Sequence, residues 1–192
     1  TNLFEKYFPG KLVIYSIEGC DYIKDEDELE KLYDLGLRNI LLVWNNENKY
    51  GSGNRSCKGL TDLGKSFIKK AVSLGISIDL SHMNKNTFWD SIELLKALKS
   101  DGYKIKVIAS HSNSYLLCQN KRNLDDEQIK AIKDLSGMIG LVGYGPFINV
   151  DEKKLEENYL NHIKHVESIV GIDNVMIATD NMEFATELFN ID

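Results

Sequence analysis

Ile76-Ser77-Ile78-Asp79-Leu80-Ser81-His82 and Lys106-Val107-Ile108-Ala109-Ser110-His111 are the two stretches that decide the fold. Each is a short apolar run ending in an imidazole. Runs of this length, rich in Ile, Val and Leu, read as strands buried on both faces, the kind found in parallel sheets. A parallel strand that ends in histidine delivers a metal ligand or proton carrier to the rim where α/β enzymes keep their active sites.

Working outward, similar runs lie at residues 12–17, 40–44, 138–142 and 175–178, giving six expected strands with 76–80 and 107–109. Helical periodicity fills the gaps at 25–35, 61–74, 86–99, 125–135 and 151–170. Asp25-Glu26-Asp27-Glu28 and Thr61-Asp62-Leu63 start two of these with side-chain oxygens that can accept from the free amides of a first turn. Gly36, Gly75 and Gly102 follow three helices, where a left-handed residue ends the helix and turns the chain into the next strand. Strand and helix therefore alternate in units of about 30 residues, which implies parallel strands with right-handed crossovers. A doubly wound sheet and a (β/α) barrel both satisfy that pattern, and no glycine-rich phosphate fingerprint follows any strand. For a barrel, six strands are two short of closure, and the expectation is that the missing pair precedes Thr1. Residues 45–59, with Asn45, Asn46, Asn48, Gly51, Gly53, Asn54 and Gly59, read as a long loop too polar to pack.

At 192 residues, the chain can bury one sizeable core, so a single domain over residues 1–192 is expected. Hydrophobic residues at 43% and charged residues at 27% are ordinary globular values. A net charge of -6 argues against nucleic acid as a partner, because phosphate binding needs clustered Lys and Arg. Cys20, Cys57 and Cys118 are odd in number and contain no CxxC pair, which points to reduced thiols and a cytoplasmic location. No run approaches the roughly 20 apolar residues of a membrane span. The start, Thr1-Asn2-Leu3-Phe4, has neither Met nor signal-peptide character, and the chain is expected to begin inside a longer protein.

Lining up the strand ends gives Glu18, then Trp44 and Asn45, His82, His111, Tyr144 and Asp180. In a parallel barrel these positions converge on one mouth. Two histidines with two carboxylates make a divalent-metal hydrolase constellation, with Trp44, Asn45 and Tyr144 as candidate substrate contacts. Arg122, shortly after His111 in Asn120-Lys121-Arg122-Asn123, is a candidate clamp for a substrate carboxylate. Each of these residues alone also reads as a helix cap or a solvated loop group. His162 and His165, on a helix rich in Lys and Glu, read as surface residues without a special role, and Cys20 reads as an inert thiol.

The pieces Ile17-Glu18-Gly19, Leu35-Gly36-Leu37-Arg38, Gly59-Leu60-Thr61-Asp62-Leu63-Gly64, Ile78-Asp79-Leu80-Ser81-His82, Ser110-His111-Ser112-Asn113-Ser114-Tyr115, Lys121-Arg122-Asn123-Leu124 and Ala178-Thr179-Asp180 run in order over almost the whole chain. Together they resemble the renal (membrane) dipeptidases, peptidase family M19, among the amidohydrolase-like metallopeptidases. The resemblance implies an α/β fold, a TIM-type (β/α)8 barrel present here as an incomplete barrel of about six βα units. It implies dipeptide hydrolysis, in some members with a D-residue at the C-terminal position. It makes Glu18 a carboxylate bridging two zinc ions and His82 and His111 ligands of the second. Arg122 would bind the substrate carboxylate, and Asp180 would accept a proton from the attacking water and contact the free amine. A homodimer is among the expectations it brings.

Three departures from the family pattern stand out. Its HxD pair, two ligands of the first zinc, has no counterpart, since nothing before Glu18 is a histidine. Two Zn2+ belong to a complete site, and this chain alone accounts for one or none. Trp44 stands where the best-known members carry a histidine thought to stabilise the tetrahedral intermediate; Trp-Asn resembles a variant of bacterial relatives, and an indole donates one hydrogen bond but carries no proton. The chain also departs from the family's Gly-rich ending, reading Asn181-Met182-Glu183-Phe184 after Asp180. The competing expectations are a barrel-derived binding or scaffold protein that has lost the first metal site, and an amidohydrolase acting on another small amide.

Overall fold

Strand order decides between a doubly wound sheet and a barrel. The computed structural model describes residues 13–148 and 154–180. Among these, β1 (Tyr15–Glu18), β2 (Leu37–Leu41), β3 (Ser77–Asp79), β4 (Val107–Ala109), β5 (Met138–Val142) and β6 (Val175–Ala178) form one sheet, each pairing in parallel with the next in chain order. A doubly wound sheet reverses direction at a switch point, and none occurs here. The arrangement is a half-barrel of six parallel strands, as expected for an incomplete (β/α)8 fold.

The helices are α1 (Glu26–Asp34), α2 (Asp62–Leu74), α3 (Lys85–Ser100), α4 (Asp126–Asp134), the single turn α5 (Gly145–Ile148) and α6 (Leu155–Val170). Asp25, Thr61, Asn84 and Asp125 cap four of them by accepting from the amide three residues on, and Asp125 with Gln128 completes a capping box. Gly75 ends α2 at φ 79, where an L side chain would be strained, and sends the chain into β3. The inward stripe of α2 buries Phe67, Ile68, Ala71 and Val72, and that of α3 buries Phe88, Ile92 and Leu95. Each large side chain so buried contributes about 1.5–3 kcal/mol of transfer free energy. All of these belong to one core between sheet and helices.

Three expectations need correction. The second strand starts at Leu37 rather than 40, because polar residues disguise its first half. Arg38 lies outward with its guanidinium 4.1 Å from the centroid of the Tyr33 ring, while Asn39 is buried and donates to Ser16 Oγ (2.8 Å) and Asp79 Oδ2 (3.3 Å). The 45–59 loop does pack: Tyr50 is fully buried, stacks on Phe67 at 4.2 Å and donates its hydroxyl to Ile23 O at 2.6 Å. His162 is no surface residue but 1% exposed; its Nδ1 accepts from Ser114 N–H (3.1 Å) and its Nε2 donates to Ile148 O (3.0 Å). His165 is half-buried and tied to Asp126 at 2.8 Å. Residues 12 and 151–153, assigned from sequence to a strand and a helix, lie outside the described residues. No described helix is long and apolar enough to cross a membrane.

Candidate functional site

Glu18 is the last residue of β1, His82 follows β3 by three residues and His111 follows β4 by two. Parallel strands put all three ends on the same rim. Glu18 Oε1 lies 2.8 Å from His82 Nε2 and 3.4 Å from His111 Nε2, and the two rings meet edge to face with centroids 4.9 Å apart. One donor atom from each residue falls within 4.8 Å of the other two. Both histidines are under a tenth exposed, whereas Glu18 is 42% exposed on its side chain.

The second nitrogen of each ring is held from behind. His82 Nδ1 is 3.1 Å from Asn45 Oδ1, and His111 Nδ1 is 2.8 Å from Ser110 Oγ. Such contacts fix the tautomer and aim Nε2 forward. His82 thus faces two acceptors, Asn45 Oδ1 and Glu18 Oε1, while a neutral imidazole has one N–H. A second proton would satisfy both, but burial pushes the His82 imidazole below its ordinary pKa. A divalent cation held by His82 and Glu18 would relieve the conflict without that proton. His111 Nε2 is buried and faces the same Glu18 oxygen at 3.4 Å without the geometry of a hydrogen bond, so it too is left short of a partner. The His111 imidazole, then that of His82, holds the Glu18 carboxyl well below the usual carboxylate range against the opposing effect of burial, so Glu18 is a ready anionic ligand. Two imidazoles and one carboxylate form a donor set that zinc accepts, leaving a position open. The residues present therefore fit a metal.

His82 adopts φ 71 and Asp180 φ 50, two of the three described non-glycine residues in the left-handed region. Such backbone costs about 1–3 kcal/mol and gathers at functional sites.

Beside His82 opens a cavity of about 310 Å³ whose wall includes Arg122, Lys85, Lys121, Tyr115 and Ser112. Arg122 is 7% exposed, and no described carboxylate lies within salt-bridge distance of it. Its guanidinium sits 5.4 Å from the centroid of the Phe147 ring. Burial lowers its pKa to about 10, partly offset by the charges of Glu18, Asp180 and Asp79, so it remains a cation at neutral pH. A buried cation short of a counter-ion beside a cavity is suited to an anionic ligand. In a chain of net charge -6, this corner is locally positive.

The other expected residues fall around the rim. Asn45 backs His82 as just described. Trp44 is half exposed with its ring 6.0 Å from the His82 imidazole. Tyr144 is likewise exposed and meets Phe147, the ring under Arg122, edge to face at 5.0 Å. Asp180 is exposed two residues beyond β6, and residues 181–192 lie outside the described part. Trp44, Tyr144 and Asp180 are not part of the cavity wall. Cys20 is buried, and burial pushes its thiol up to about 12, as fits an inert group. Sequence reading missed Asp79, a buried carboxylate beneath the two histidines, although an acid inside an apolar run was its visible signal.

Comparison with known proteins identifies the family. The chain is 32% identical over 168 residues to an uncharacterized protein in the PQQ-III 3'region of Acinetobacter calcoaceticus, covering 82% of this chain and 51% of that protein. It is 32% identical over 181 residues to an uncharacterized protein in the pqqA 5'region of Klebsiella pneumoniae, covering 88% and 64%. It superposes with TM-score 0.76 and 29% identity on a metallo peptidase from Rhodobacter sphaeroides crystallised with a phosphinate mimic of the dipeptide L-Ala-D-Ala, covering 87% of this chain and 49% of that one. The chain thus spans about half to two-thirds of the length of these relatives. The sequence profile of the membrane dipeptidase family (peptidase family M19) matches residues 7–188, nearly the whole chain, and the chain belongs to that family.

Proposed function

We propose that this chain belongs to a zinc-dependent dipeptidase and carries part of its active site. The observation that carries the reading is the meeting of Glu18, His82 and His111 within 4.8 Å, beside a cavity lined by His82 and by Arg122, a buried cation with no carboxylate in direct contact among the described residues. Zinc bound by Glu18, His82 and His111 would polarise a peptide carbonyl and acidify a water molecule. Glu18 carries a second oxygen with which to bridge to another ion. Arg122 grips the substrate carboxylate in bidentate fashion and so fixes the scissile bond against the ligand cluster. Asp180 accepts the proton of the attacking water and pairs with the free amine, while Trp44 and Tyr144 flank the opening. Anchoring both ends of a short zwitterion selects dipeptides over longer chains. Free thiols at Cys20, Cys57 and Cys118 support a cytoplasmic setting.

The scaffold reading is not favoured. A buried histidine nitrogen aimed at a carboxylate without a hydrogen bond, next to a buried guanidinium with no carboxylate in direct contact among the described residues, suits a metal and an anionic substrate better than a bare scaffold. Assaying the zinc-loaded full-length protein against free, N-acetylated and C-amidated dipeptides tests the proposal. Free dipeptides should be hydrolysed and both blocked forms resisted. No hydrolysis of any dipeptide, or equal hydrolysis of the amides, would overturn it.

A further inference from the structure

We propose that Asp79 is the positioning residue that sets His82 and His111 at metal-binding distance, an inference that rests on the metal reading above. A carboxylate with no solvent exposure inside a sheet needs a reason, because desolvating a charge is expensive unless it is hydrogen-bonded. Asp79, the last residue of β3, is used in an unusual way. A single oxygen, Oδ1, accepts from two backbone amides, Ser81 N–H and Ser110 N–H, each at 3.0 Å. Those amides belong to the residues immediately before His82 and His111. One atom therefore ties together the two strand ends that carry the histidines.

The first contact is a side-chain turn, an acidic residue accepting from the amide two positions on. It bends the chain off the strand at Ser81, and His82 follows in the left-handed region at φ 71. The second contact crosses from β3 to β4 beyond their last ladder pair, Asp79 with Ile108. Ser81 extends the clamp by accepting from His111 N–H through its hydroxyl at 3.1 Å. Asn39 holds the other carboxylate oxygen from β2 at 3.3 Å. Leucine at position 79 could fill the space, but it could not hold two amides that the ends of the strands leave over.

The test uses the full chain in four forms: wild type, Asp79→Asn, Asp79→Ala and the core variant Leu95→Ala as a control of lowered stability. Zinc affinity is read by competition with a chromophoric chelator. The ring-to-ring nuclear Overhauser contact between His82 and His111 is read on metal-free protein. Loss of an outer-shell contact of this kind weakens metal binding by about tenfold to a hundredfold. Asp79→Ala should show that loss, Asp79→Asn a smaller one because an acceptor oxygen remains, and Leu95→Ala none. The ring contact should weaken in both Asp79 variants and persist in Leu95→Ala. If Asp79→Ala does not fold, Asp79→Asn alone decides. Wild-type affinity and an unchanged ring contact in a folded Asp79 variant would overturn the proposal, as would an equal loss in Leu95→Ala. Absence of zinc binding by wild type would instead strike the metal reading, and the metal-free ring contact would still judge Asp79.

Discussion

Single side chains carry the chemistry, and two of them give measurable expectations. With Arg122 gripping the substrate carboxylate as proposed, Arg122→Ala removes a charge-assisted contact worth about 1.5–3 kcal/mol, so KM for dipeptides should rise about tenfold to a hundredfold while kcat changes little. Steady-state kinetics on free dipeptides check it; an unchanged KM would remove Arg122 from the substrate's binding site. His162 gives a pH dependence. Burial lowers its pKa below that of the unfolded chain, and the Ser114 amide needs the bare Nδ1 of the neutral ring. The unfolded chain therefore binds a proton more readily, and stability is complete above about pH 6.5 and falls as pH drops through that value. Urea unfolding between about pH 7 and pH 5 should show this slope, and His162→Asn should flatten it.

Elements hold these residues by close approach as much as by hydrogen bonds. A Cβ on Gly140 in β5 would stand 1.9 Å from Ser110 O, the carbonyl just before His111. Gly140→Ala must push β5 from β4 and should cost about 1–3 kcal/mol in denaturant unfolding, with zinc affinity falling alongside because His111 moves with its strand. Unaltered stability would mean that the pair of strands is looser than drawn. At this scale the sequence was largely readable. Val107–Ala109, Met138–Val142 and Val175–Ala178 announce themselves as apolar runs, and Asp25, Thr61 and Asp125 mark their helices. Where polar side chains serve the interior, the signal inverts: Asn39 hid the start of β2, and Asp79 was passed over inside its own run. Periodicity records which side chains avoid water, and it is blind to polar groups buried with their partners.

The whole molecule is an open curve of strands, with β1 and β6 as its edges among the described residues. β3 and β4 are paired on both sides and packed by α2 and α4 respectively, while Ile14 beside β1 and Ile177 in β6 are more than half exposed. Amide hydrogen exchange should therefore be slowest at Ile78 and Leu80, whose amides donate to Lys106 O and Ile108 O, and fastest in the two edge strands. Uniform protection across all six strands would contradict this gradient. The convergence of Glu18, His82 and His111 was legible as a list of strand ends because a parallel sheet brings every carboxyl end to one rim. The buried burden behind that rim, Asp79 and His162 in particular, depends largely on partners 31 to 48 positions away, Asn39 and Ser110 for Asp79 and Ser114 for His162, which no local pattern records.

Everything proposed for the site depends on Glu18, His82 and His111 binding one metal ion together. Zinc K-edge X-ray absorption on the full-length protein, with Glu18→Ala, His82→Ala and His111→Ala beside it, tests that most directly. The spectrum should show imidazole scattering at about 2.0–2.1 Å and oxygen scattering without sulfur, with each substitution removing its own share. A shell containing cysteine sulfur, or one untouched by all three substitutions, would contradict it.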